Sequence, residues 1–192
     1  MLALFPEITQ KAQAGDLETL AVLIRSYFGA AGGKSPKLSV SDVVRAFGIP
    51  VGEAPIHYFG AIAVKDEAGE IQASMIIKEN MSTTHRSFVL CHLLGHFLFH
   101  IQPSLARSEW KTSGFKELQD PMRRYAYGDG LEGLNAQAFN IEDLADRFAG
   151  ALLMPAAMLR RAVEKIGDLE KVALIFGVER DVVERRLDDL GS

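Results

Sequence analysis

Apolar residues recur every three to four positions from Asp16 to Phe28, at Leu17, Leu20, Ala21, Leu23, Ile24, Tyr27 and Phe28. That spacing predicts an amphipathic helix, with Asp16 as its cap. Gly29 to Lys37 mixes Gly, Ala, Ser and Pro and reads as a loop. A second short helix is expected over Ser39 to Phe47, stopped by Gly48 and Pro50. The period then changes. Tyr58 to Lys65 and Glu70 to Lys78 are rich in Ile, Val, Ala and aromatics and flank Asp66-Glu67-Ala68-Gly69, which predicts a β-hairpin. From about Thr84 to Ile101 the chain is apolar nearly all round, the pattern of a helix running through the middle of a core.

Pro103 to Phe139 loses this regularity: Trp110, Phe115, Tyr125 and Tyr127 are scattered among charges, glycines and Pro121. A stretch of such length is either a functional lid or a surface loop, and a short helix near Asp120 to Tyr127 is expected within it. Helical spacing returns at Ile141, Leu144, Ala145, Phe148, Ala149 and Leu152, with Asn140 read as the cap and Pro155 as the stop. Two or three short helices finish the chain, including Asp168 to Phe176 and Arg180 to Leu190.

Composition narrows the class. The chain has 192 residues, 48% hydrophobic and 24% charged, enough to bury one sizeable core as a single domain. No apolar run approaches the roughly 18 residues of a membrane helix, and the opening Met1-Leu2-Ala3-Leu4-Phe5-Pro6 lacks the features of a signal peptide. A cytoplasmic protein is expected. The lone cysteine, Cys91, builds no disulfide framework and reads as a small buried hydrophobe. A net charge of -4 gives no general drive towards nucleic acid. The closing helix pair has a helix-turn-helix look, yet Asp168 to Ser192 holds seven acids against four bases, so direct DNA binding is not expected.

The chemistry centres on the buried helix. His92, His96 and His100 follow one another at one-turn intervals, so their side chains share one stripe. Two of them can hold a divalent metal, or all three can simply pack. Glu142 and Asp146 are again one turn apart, suited to complete a metal shell and to fix a histidine tautomer; acids in a first helical turn are also favoured by the dipole alone. His92-Leu93-Leu94-Gly95-His96 follows the HExxH pattern with one change: Leu93 stands where the glutamate would take a proton from metal-bound water.

The order of hairpin, then Arg86-Ser87-Phe88-Val89-Leu90-Cys91-His92-Leu93-Leu94-Gly95-His96, then Glu142-Asp143-Leu144-Ala145-Asp146-Arg147-Phe148-Ala149-Gly150-Ala151-Leu152-Leu153-Met154-Pro155 resembles the ImmA/IrrE family of metallopeptidases over about residues 40 to 190. The resemblance implies an α+β, zincin-like fold, with a small antiparallel sheet or hairpin packed on the HxxxH helix and a helical C-terminal part. Within a single domain over residues 1–192, it implies an N-terminal helix and loop over 1–38. A metallopeptidase core over 39–155, with the excursion at 103–139, and a C-terminal helical hairpin over 156–192 would follow. It implies zinc held by His92, His96 and Glu142, with Asp146 and His100 supporting the ligands from behind.

The implied partner is a helix-turn-helix repressor of the XRE-like kind, cut or otherwise removed so that stress-response or mobile-element genes are released. Leu93 departs from the family pattern. General acid–base help is worth roughly 100- to 10,000-fold in rate, so peptide cleavage is expected to be severely weakened while metal binding survives. Glu109, Glu117, Asp120, Asp129 and Glu132 are candidate replacement bases, and Tyr125 or Tyr127 candidate oxyanion donors, against a plain reading of all seven as surface-loop residues. Two functions follow: a zinc endopeptidase with a compensating base, or a metal-stabilised binding module that holds a repressor without cutting it. In the first, the hairpin edge is expected to align an extended substrate chain by strand addition.

Overall fold

The structure is a computed structural model, and it describes residues 6–28, 35–67, 70–101, 116–120 and 136–191. The fold is α+β. In chain order the elements are α1 (Pro6–Ala14), α2 (Leu17–Phe28), α3 (Val40–Ala46), β1 (Val51–Ala54), β2 (Gly60–Glu67), β3 (Glu70–Lys78), α4 (Thr83–His96), β4 (Lys116–Asp120), α5 (Ala136–Leu153), α6 (Ala156–Ile166), α7 (Leu169–Phe176) and α8 (Arg180–Asp189). A π-helical turn, Phe97–Ile101, continues α4 without a break, so the buried helix reaches the end that its apolar pattern predicts.

The predicted hairpin forms, with Gly60 opposite Ile77 and Glu67 opposite Glu70. The sheet around it is larger than its period-2 signal indicates. Its strand order is β1-β3-β2-β4, with β1 parallel to β3 and β4 antiparallel to β2. The sheet is therefore mixed, where a purely antiparallel one was expected, and both outer edges of the hairpin are occupied.

Helix α4 is the centre of the core. Every residue from Phe88 to Leu98 is buried. Leu90, Leu93 and Leu94 join Ile62, Met75 and Ile77 of the sheet and Phe148, Ala149 and Leu152 of α5 in one apolar cluster. Ser82 caps α4 by accepting the backbone N–H of His85 at 3.1 Å, one residue earlier than the apolar pattern suggests. Helix α2 starts as predicted, with Asp16 accepting the N–H of Thr19 at 3.1 Å. Val172, Ala173 and Phe176 of α7 and Val182 and Val183 of α8 are buried in the same cluster, so the closing helix pair packs on the core.

Three expectations change. Helix α5 begins at Ala136, so Asn140 lies inside the helix rather than capping it. Asp120, expected at the start of a short helix, ends strand β4, and the rest of that expected helix lies outside the described residues. Glu117 and Asp120, read as loop residues, belong to the same strand. Glu109, Tyr125, Tyr127, Asp129 and Glu132 lie outside the described residues. Among the described residues no helix is long and apolar enough to cross a membrane.

Candidate metal centre

Two helices build the centre. Helix α4 supplies His92 and His96, four residues apart and so about 40° apart around the axis. Helix α5 supplies Glu142 and Asp146 at the same spacing. What brings them together is the closeness of the two helices at Gly95. A Cβ built on Gly95 would lie 3.1 Å from Cα of Ala145 and 3.1 Å from Cδ1 of Phe148, so a larger residue would push α5 away from the histidines.

The polar atoms converge at this contact. Nε2 of His92 and Nε2 of His96 face each other at 2.8 Å, and Oε2 of Glu142 is 3.3 Å from the first and 3.4 Å from the second. One ligand atom from each of the three residues lies within 4.8 Å of the other two. The Nδ1–H of His92 donates to Oδ1 of Asp146 at 2.6 Å. His92, His96 and Asp146 are all buried, and Glu142 is nearly so. On the far side, Nδ1 of His96 meets Nδ1 of His100 at 3.1 Å.

This donor set suits a divalent cation. With its Nδ1–H given to Asp146, His92 presents a lone pair at Nε2. When His96 gives its own Nδ1–H to His100, its Nε2 does the same. Two lone pairs and a carboxylate oxygen then point at one another, an arrangement that is repulsive until a cation lies between them. Two histidines and one carboxylate also form a known ligand set for zinc with one position left for water.

Protons can take the place of the cation: burial raises the Glu142 carboxyl, but when the Nε2–H groups of His92 and His96 donate to it, those hydrogen bonds and the histidines' charge hold it well below the usual carboxylate range. Burial, and then the neighbouring His96, push His100 down to about 4, so it is a neutral partner at pH 7. Burial pushes the Cys91 thiol up, which keeps it an unreactive core residue as expected.

Leu93 sits beside this centre, on the side of the sheet. It lies about 100° round the helix from His92, is fully buried, and packs against the sheet: a Cβ built on Gly60 would lie 3.0 Å from Cδ1 of Leu93 and 2.8 Å from Cγ1 of Val89. The base position is thus filled by a hydrocarbon wedged between α4 and the start of β2. Gly60 was not singled out from sequence; its signal there is a glycine opening an otherwise apolar strand, a sign of close backbone approach. The structure brings together all five predicted residues, His92, His96, His100, Glu142 and Asp146.

Comparison with known proteins agrees with this geometry. The sequence pattern described as the IrrE N-terminal-like domain, a peptidase family, matches residues 44–188. No curated protein matches significantly. Among solved structures, one described as a Mycobacterium tuberculosis transcriptional regulator superimposes with a TM-score of 0.56 at 18% identity. The match covers 96% of this chain and 51% of that one, so the chain spans about half the length of that relative. At such low identity the likeness speaks for the fold alone. The family match covers three quarters of the sequence and contains both metal-site helices, and on that ground the chain belongs to the IrrE N-terminal-like peptidase family.

Proposed function

We propose that this protein binds zinc through His92, His96 and Glu142 and acts on a helix-turn-helix repressor by holding an extended segment of it, with hydrolysis reduced to a residual rate. The observation that carries this reading is the contrast between adjacent residues. His92 presents its Nε2 to the ligand cluster, while Leu93 is sealed against Gly60 in the core.

Zinc, when bound, polarises a carbonyl and lowers the pKa of a coordinated water. The chain's own residues supply the rest. Asp146 orients His92 by accepting its Nδ1–H, and His100 backs His96. No side chain at position 93 accepts the proton of an attacking water or returns it to a leaving amine, which takes away roughly 100- to 10,000-fold in rate. Binding therefore outlasts cleavage. The regulatory setting is supported by the name of the superimposed relative, a transcriptional regulator, and a reducing, cytoplasmic location accords with a single buried cysteine.

A second reading keeps full peptidase activity. It is favoured by one observation: β4, which carries Glu117 and Asp120, pairs with β2 so that Asp120 stands opposite Gly60, the residue against which Leu93 packs. The test incubates the zinc-loaded protein, its Leu93→Glu variant and an Asp120→Asn variant with candidate repressors. Capture of a repressor by the parent, with cleavage gained only in Leu93→Glu, supports the binding reading. Cleavage by the parent that Asp120→Asn abolishes contradicts it and supports the second.

A further inference from the structure

The histidine stripe of α4 runs between two neighbours. Gly95, about 60° to one side of His92, touches α5; Val89 and Leu93, about 60° and 100° to the other, touch β2 at Gly60. The start of β2 therefore borders the candidate metal centre. The sheet order places β3 on one side of β2 and β4 on the other. On that second side Lys116–Asp120 pairs antiparallel with Gly60–Val64, and Asp120 is the β4 residue beside Gly60.

We infer that β4 is a resident strand, held by this chain in the place an extended partner segment would take, and that a partner gains the edge beside the histidines by replacing it. The inference rests on the reading that the partner offers an extended segment. Its support is in the strand itself. β4 is a detour between α4 and α5, and among the described residues it pairs with no strand but β2. The pairings of β1 with β3 and of β3 with β2 do not involve it.

Among the described residues, β4 pairs with Gly60 to Val64, five of the eight β2 residues that pair with β3. An incoming strand replaces each lost ladder bond with an equivalent one. The sequence Lys116-Glu117-Leu118-Gln119-Asp120 has one apolar residue among five, the composition of a strand that guards an edge rather than one that anchors a core.

Hydrogen exchange on the metal-free protein tests this without depending on zinc, so a failed metal site leaves the readout intact. In the parent, the β4-facing amides of Gly60 to Val64 should exchange at least about tenfold faster than the β3-facing amides of the same strand, through local opening. Antiparallel ladder bonds alternate, so of Glu117→Pro and Leu118→Pro one removes a donor aimed at β2. That variant should lose protection on the β4-facing amides alone, and a synthetic peptide of residues 113–122 added in excess should restore it. Equal exchange of the two amide sets in the parent would overturn the inference. So would loss of the whole core in both proline variants, or failure of the peptide to restore protection.

Discussion

The Nδ1–H of His92 donates to Oδ1 of Asp146 across 2.6 Å, joining two residues 54 positions apart in a buried, charge-assisted contact. Its consequence is positional: the ring is held with Nε2 towards His96 and Glu142. Such supports typically contribute roughly 10- to 100-fold to metal affinity. Asp146→Ala should weaken zinc binding by about that factor while leaving the far-ultraviolet spectrum unchanged. Competitive titration against a chromogenic chelator measures it, and an unchanged affinity would show that packing alone orients His92.

Leu93 contributes to the core before it bears on chemistry. A carboxylate placed there meets Val89 and the backbone of Gly60 rather than water. The metal-free Leu93→Glu variant should therefore be less stable than the parent by about 2–4 kcal/mol in urea unfolding, combining lost burial with an unpaired polar group. Zinc should restore more stability to the variant than to the parent, because the introduced carboxylate then gains a metal-bound water to hydrogen-bond. Equal stabilisation of the two would place position 93 out of reach of that water.

Acid should weaken the metal-free protein through His100. Its folded pKa, about 4, lies below the usual histidine value of 6.5 because burial and then His96 oppose its charging. The unfolded chain thus binds the extra proton first, and stability present above about pH 6.5 is lost as the pH falls towards 4. Glu142, also depressed, adds its own loss lower in the acid range. His100→Asn should flatten the stability profile between about pH 6.5 and 4.5, as measured by denaturant midpoints at a series of pH values. An unaltered slope would contradict the burial of a neutral imidazole there.

How far the sequence disclosed all this depended on how much each element buries. Helix α2 and the helix of His92 and His96 have broad apolar faces and were legible from spacing. Helix α1 buries only Ile8 and Ala12 among its described side chains, a stripe too thin for periodicity to detect. Strand β1 is four residues long, and its two central residues, Gly52 and Glu53, are exposed. It exists because the edge of β3 accepts it, a tertiary cause. Strand β4 is likewise specified by the edge of β2, and its charged sequence resembles a loop.

At the candidate metal centre, the pairs His92/His96 and Glu142/Asp146 were each legible as one-turn neighbours. Their convergence came from family resemblance, because spacing within one helix carries no information about a second helix far along the chain. Asn140 misled for the opposite reason: a good capping residue also occurs inside helices when tertiary packing extends them upstream.

The central claim is that His92, His96 and Glu142 form a working metal site although Leu93 has replaced the base. Zinc quantified per protein chain after chelator stripping and reloading, in the parent beside His96→Ala, tests it most directly. One tightly bound equivalent in the parent and none in the variant is the result predicted. Absence of bound zinc from the parent, or equal binding by both proteins, would contradict it.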